Sequence, residues 1–263
     1  MTDTTKTAND EPVISLRGVR KAFGDNVVFD NLDLDVFRGE TVSILGRSGT
    51  GKSVCLKLII GLLTQDEGQV MYQGREVSQL SPTELRDLRK EVSMVFQAGA
   101  LFDSMTVIEN VGYALVEHTK MHDDEIRERV VECMEMVGLP IDKNPGILER
   151  YPANLSGGMR KRVALARSIV TKPAVILYDE PTMGLDPQNC DRIAMMIRDL
   201  QARLNVTSVV VTHDMDTAYY SSDRIALLYD KRMPWVCVPD DFKHLDETEV
   251  KAFVDRKIGP GID

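Results

Sequence analysis

The chain has 263 residues, 43% hydrophobic and 28% charged, a composition that suits a folded domain able to bury a substantial core. A formal net charge of -9 argues against a protein that mainly grips phosphate backbones, so no nucleic-acid partner is expected. Four scattered cysteines (Cys55, Cys133, Cys190, Cys237) have neither metal nor redox spacing and read as reduced thiols. No apolar run nears the ~20 residues of a membrane helix, and the polar start MTDTTKTANDEP is no export signal, so the chain is expected to stay in the cytoplasm.

In chain order, residues 1–12 read as a disordered tail. From Val13 to Phe37 the β-branched and alternating segments VISLRGV and NVVFDNLDLDVF predict antiparallel strands turned at Gly24-Asp25-Asn26. Thr41 to Leu45 is a short apolar strand, followed by a Gly-rich loop and the helix KSVCLKLIIGLL. Further apolar strands are expected at Ser93–Phe96, Ala174–Asp179, Ser208–Thr212 and Arg224–Tyr229. Helical patterns separate most of them, which predicts an α/β fold with a largely parallel sheet covered on both faces. About residues 98–170 the pattern turns helical throughout: near Val107–His118, Asp123–Val137 and Ser156–Val170. The second of these starts on Asp123-Asp124-Glu125 and stops at Gly138-Leu139-Pro140. From Asp241 one short helix and a Gly/Pro-rich tail, residues 241–263, are expected.

The strongest local signal is GRSGTGKS, Gly46-Arg47-Ser48-Gly49-Thr50-Gly51-Lys52-Ser53, between a strand and a helix. Glycines at this spacing let successive backbone N–H groups converge on phosphates at a helix start. Lys52 would neutralise the β- and γ-phosphates of ATP, and the Ser53 hydroxyl would ligate Mg2+. In AVILYDEP, a buried strand ends on Asp179 and Glu180, where ligands meet parallel sheets. Asp179 would hold magnesium and Glu180 would polarise the attacking water. In LSGGM, Ser156 can cap a helix while Gly157 and Gly158 leave its first N–H groups bare for an anion. A second anion grip, beside the one at Lys52, suggests a nucleotide shared between two copies. Plainer readings stand beside these: a glycine turn, a solvated acid pair, an ordinary N-cap.

The ordered set GRSGTGKS, Gln97, LSGGM, ILYDEP, Gly184-Leu185-Asp186 and His213 after SVVVT resembles the ABC ATPase family, over roughly Val13 to Asp230. The resemblance implies a P-loop NTPase core of the ABC ATPase type over residues 13–240, with an N-terminal antiparallel β subdomain and an inserted α-helical subdomain. It implies that two chains sandwich two ATPs head to tail and hydrolyse them. Gln97 would sense magnesium and the γ-phosphate, Asp186 would lie at the dimer seam, and His213 would position Glu180 and the water. Phe23 stands where the family stacks an aromatic ring on adenine, though a phenylalanine there could equally be core. Two departures stand out. Met159 replaces the family's usual Gln, and DKRMPWVCVP follows Tyr229 where a Gly-containing hairpin is usual, with Pro234 ill suited to a central strand.

The segment FQAGALFDSMTVIENVGYALVEHT, with GKSVCLKLIIGLL and LSGGMRKRVALARSI, is similar to the ATPases of MCE-associated (Mla-type) lipid transporters. That resemblance implies phospholipid or hydrophobic-molecule trafficking across a bacterial envelope. The implied partners are an integral-membrane permease, an MCE-domain protein and a STAS-domain regulator. The ATPase itself would sit on the cytoplasmic side of the inner membrane, with Ala98–Leu115 including the permease-facing surface. The six motifs also fit the ATPase of a small-solute importer of the amino-acid type. ABC-type ATPases that act on DNA or ribosomes usually carry two cassettes, a long coiled-coil insert or zinc cysteines, and this sequence has none of these.

Overall fold

The structure, a computed structural model, describes residues 11–248 and 250–251. The expected N-terminal tail, apart from Glu11 and Pro12, and the end of the expected C-terminal tail lie outside the described residues. Strands β1 (Ile14–Phe23) and β2 (Asn26–Val36) form the expected hairpin, turned where Gly24 adopts φ +60°. β3 (Thr41–Leu45) is buried at every position and leads through the glycine loop into α1 (Lys52–Ile59). That helix ends short of the expected Leu63 because the backbone leaves the helical region at Gly61, φ +66°.

The apolar pattern gave no element for the next stretch, which holds β4 (Glu67–Tyr72), β5 (Arg75–Glu76) and α2 (Pro82–Glu91). Three exposed residues open β4, so it carries little hydrophobic signal. The start of α2, by contrast, was legible: Ser81 and Glu84 form a reciprocal capping box with Pro82 in the first turn. The rest follows as β6 (Val92–Val95), α3 (Val107–His118), α4 (Asp123–Met136), α5 (Gly157–Ile169) and β7 (Val175–Asp179). Then come α6 (Pro187–Leu204), β8 (Thr207–Thr212), α7 (Met215–Ser221), β9 (Arg224–Tyr229), β10 (Arg232–Cys237) and α8 (Pro239–Lys243).

One sheet is antiparallel, ordered β2-β1-β4-β5, and the other is ordered β10-β9-β3-β8-β7-β6. In the second, every pairing is parallel except that of the edge strand β10. β10 resolves the doubt over Pro234. The β9–β10 hairpin turns on Asp230 and Lys231, both with positive φ, so it needs no glycine. Pro234 falls in a register shift between Arg232 and Trp235 on the outer edge, where its missing N–H is harmless.

Alternation along the parallel strands divides the interior. Val175 and Leu177 of β7 join one core with α1 and the antiparallel sheet, while Ile176 and Tyr178 join a second. β8 does the same, with Val209 and Val211 on one side and Val210 on the other. The second core ties β7 and β8 to Val111 of α3, Val130 of α4, Val163 of α5 and Ile197 of α6. At roughly 1.5–3 kcal/mol for each fully buried aliphatic side chain, both faces hold the sheet in place. The register then levels the strand ends: Leu45 pairs with Thr212, and Asp179 with Val211. Gly46, His213 and Glu180 therefore leave β3, β8 and β7 at one edge, the carboxyl edge where α/β sheets take ligands.

Candidate functional site

The glycine loop wraps the start of α1. Gly49 and Gly51 adopt φ +81° and +98°, and Gly51 caps the helix without a side-chain partner, leaving the first N–H groups open to an anion. The loop is closely backed, since a Cβ on Gly51 would lie 2.1 Å from Val28 Cγ1. Thr50 braces it by donating its hydroxyl to the Arg47 carbonyl at 2.8 Å. Arg47, Ser48 and Gly49 are exposed, and Lys52 is folded inward. Lys52 Nζ donates to the carbonyls of Gly46 (2.8 Å) and Arg47 (3.0 Å) and lies 3.2 Å from Glu180 Oε1.

The acids at the end of β7 meet this loop across the sheet. Ser53 Oγ donates to Asp179 Oδ1 at 2.6 Å, joining residues 126 positions apart. Glu180 is a non-glycine residue at φ +46°, anchored by its N–H on the Val211 carbonyl. A residue held in the left-handed region needs such support and is common where geometry serves a function. His213 Nδ1 lies 2.9 Å from Glu180 Oε2, and the His213 N–H donates to the same oxygen at 3.3 Å. Asp214 caps α7, its side chain accepting the Asp216 N–H at 3.3 Å.

The pair Ser53 and Asp179 is a hard oxygen set suited to Mg2+, which typically takes one or two protein oxygens and completes its shell with phosphate and water. Gln97 follows β6 and is exposed; its Nε2 donates to Met183 Sδ at 2.7 Å. That contact uses the amide nitrogen, and Oε1 is the atom a cation would take. Met183 carried no sequence signal as a partner of Gln97. Phe23 ends β1 with its ring half exposed, and Lys21 Nζ sits 5.3 Å from the ring centroid. Asp66 holds Lys21 at 2.8 Å and accepts the Ala22 N–H at 2.6 Å, so the platform is braced from behind.

Ser156, Gly157, Gly158 and Asp186 form a separate group. Ser156 caps α5 by accepting the Met159 N–H at 3.3 Å, and no atom lies within 4 Å of a Cβ built on Gly157. Gly158 packs near Asn189, whose N–H and side-chain amide both donate to Asp186. The Asn189 amide also holds the Asp186 carboxyl below the usual carboxylate range. Among the described residues no hydrogen bond ties this group to residues 46–53.

Comparison with known proteins decides the family, since the profile described as "ABC transporter" matches residues 29–183. The chain belongs to the ABC transporter family. It is an ATP-hydrolysing ABC cassette of the transporter type, and the two sheets and the helices between them are those of that fold. The cassette is 38% identical to the "Probable ribonucleotide transport ATP-binding protein mkl" of Mycobacterium leprae (strain TN), covering 94% of this chain and 70% of that protein. It is 38% identical to the "Intermembrane phospholipid transport system ATP-binding protein MlaF" of Escherichia coli (strain K12), covering 84% and 80%. Among solved structures it matches the dimeric post-hydrolysis state of the ATP-binding cassette MJ0796 bound to ADP and Pi. That match has TM-score 0.77 at 33% identity, covering 86% of this chain and 98% of that one.

Proposed function

We propose that the chain is the ATPase of an Mla-type transporter, moving phospholipid or another hydrophobic molecule across a bacterial envelope and working as a head-to-tail pair. The similarity to MlaF proteins, over most of both chains, carries the choice of cargo. The pairing is supported by the separation of Ser156–Gly158 and Asp186 from the phosphate loop of their own chain, and by the dimeric form of a solved relative.

ATP enters with adenine on Phe23 and its phosphates on the N–H groups of residues 46–53. Lys52 exchanges the Gly46 and Arg47 carbonyls for phosphate oxygens. Ser53, Asp179 and Gln97 would hold magnesium, which when bound would neutralise charge on the β- and γ-phosphates. Release of Lys52 frees Glu180, which accepts a proton from water while His213 fixes its carboxylate. The partner copy's Ser156–Gly158 segment completes the anion grip, so closure of the pair and hydrolysis are linked. Asp186 lies at the seam.

The permease is expected to dock on the surface within residues 98–115. There Phe102 and Tyr113 expose paired rings with centroids 5.2 Å apart. No helix among the described residues is long and apolar enough to cross a membrane. On this reading the cassette is held peripherally at the cytoplasmic side of the inner membrane by its permease, with an MCE-domain protein and a STAS-domain regulator in the same assembly and no nucleic acid.

The relatives named for ribonucleotide transport favour a second reading, a polar small-solute cargo. Purifying the intact complex from membranes separates the two. A permease, an MCE-domain protein and co-extracted phospholipid are expected; a solute-binding protein with bound polar solute would overturn the lipid reading.

A further inference from the structure

The helix that Ser156 opens is fastened to the loop that carries Gln97. Early in α5, Lys161 donates its Nζ to the Gln97 carbonyl. Further along, Arg167 donates Nη2 to the Gly99 carbonyl at 3.0 Å and Nη1 to the Ala100 carbonyl at 2.9 Å. Between these two cations, Ala164 lies against the loop: a Cβ on Gly99 would come within 3.4 Å of its methyl group. Residues 161, 164 and 167 recur at a spacing of three, which puts them on one face of the helix.

The loop gripped in this way is not relaxed. Gly99 has φ +78° and Ala100 φ +46°, and an alanine in the left-handed region is strained and depends on its surroundings to stay there. Lys161 is partly buried, with its ammonium on the Gln97 carbonyl. Arg167 also lies over the Phe102 ring, 5.8 Å from its centroid, so the same helix face reaches the exposed aromatic pair.

We infer that Lys161 and Arg167 are positioning residues that clamp the Gln97 loop to α5, so that nucleotide in one chain sets where that chain's Ser156–Gly158 meets the nucleotide held by a partner copy. The inference rests on the head-to-tail pairing proposed above. A loop fastened by three carbonyl hydrogen bonds and a packed glycine moves with its helix as one body. When Gln97 shifts toward the nucleotide, the start of α5 follows.

The test uses the full chain carrying Glu180→Gln as reference, titrated with ATP and magnesium while association is followed by sedimentation. A fluorescent ATP analogue measures single-chain affinity at low protein concentration. A reference that stays monomeric at saturating ATP overturns the pairing reading, and the inference with it. Where the reference pairs, adding Lys161→Met is expected to raise the ATP concentration for half-maximal pairing about ten-fold, the loss of one charge-assisted hydrogen bond. Single-chain affinity should change less than about two-fold, and Lys161→Arg, which keeps donor and charge, should restore pairing. An unchanged pairing midpoint overturns the inference while leaving head-to-tail pairing intact. So does an equal loss of single-chain affinity, which would assign the lysine to its own site. If Lys161→Met does not fold, Arg167→Lys, which removes one of two donors, undergoes the same titration with the same two overturning results.

Discussion

Glu180→Gln separates the ion pair that this carboxylate makes with Lys52 from the general-base role proposed for it. Glu180 Oε1 lies 3.2 Å from Lys52 Nζ, with side chains 10% and 5% exposed. At an effective dielectric of about 20 that distance is worth roughly 5 kcal/mol of attraction, most of it offset by desolvating both ions. The amide still accepts a hydrogen bond from Lys52, which also keeps the Gly46 and Arg47 carbonyls. We therefore expect the loss of charge to cost the nucleotide-free chain about 2 kcal/mol, or roughly 4–8 °C in melting temperature. ATP reverses the sign. Lys52 no longer has to abandon an ion pair to reach phosphate, so ATP should bind as tightly as before or more tightly. Turnover, meanwhile, loses the general base proposed above, a factor of about 10²–10⁴. Thermal melts with and without ATP and magnesium, beside steady-state phosphate release, measure all three effects. Turnover within ten-fold of the parent chain, or weaker ATP binding, would refute the reasoning.

Gly51→Ala places a methyl 2.1 Å from Val28 Cγ1 at a backbone φ of +98°, and should weaken nucleotide binding more than about ten-fold. Adding Val28→Ala relieves the clash but not the dihedral, so calorimetric titration should find partial recovery only. Phe23→Ala should raise KM for ATP about three- to ten-fold with kcat little changed, and Phe23→Tyr should be neutral; an unchanged KM would remove Phe23 from the adenine site. Burial pushes the Cys55 thiol up to about 12 and the Cys133 thiol to about 11, so both stay protonated at pH 7.5. Both are also shut off from solvent while Cys190 and Cys237 are partly exposed, so maleimide on the native chain should label Cys190 and Cys237 alone, whereas the denatured chain labels at all four, as mass spectrometry would show.

The sequence was most legible where a local pattern has a local cause. The phosphate loop shows itself because only glycines permit its turns, and Ser156 because a serine before two glycines caps a helix. Strands β3, β7, β8 and β9 stand out as apolar runs because both their faces are buried. The polar start of β4 hid an inner strand, and the Asp230-Lys231 turn hid a hairpin, because neither uses the residue types that usually mark them.

The family, and with it ATP hydrolysis, was thus written in short segments of the chain, the same segments that hold the acids, the lysine and the histidine proposed for the site. How those groups meet was not. Lys52 held by Glu180, Gln97 held by Met183, and α5 clamped to the Gln97 loop join positions far apart in the chain. Such contacts follow from strand register and from which helix covers which face of the sheet. Those are settled by burial summed over the whole interior, a quantity that no short stretch of residues contains.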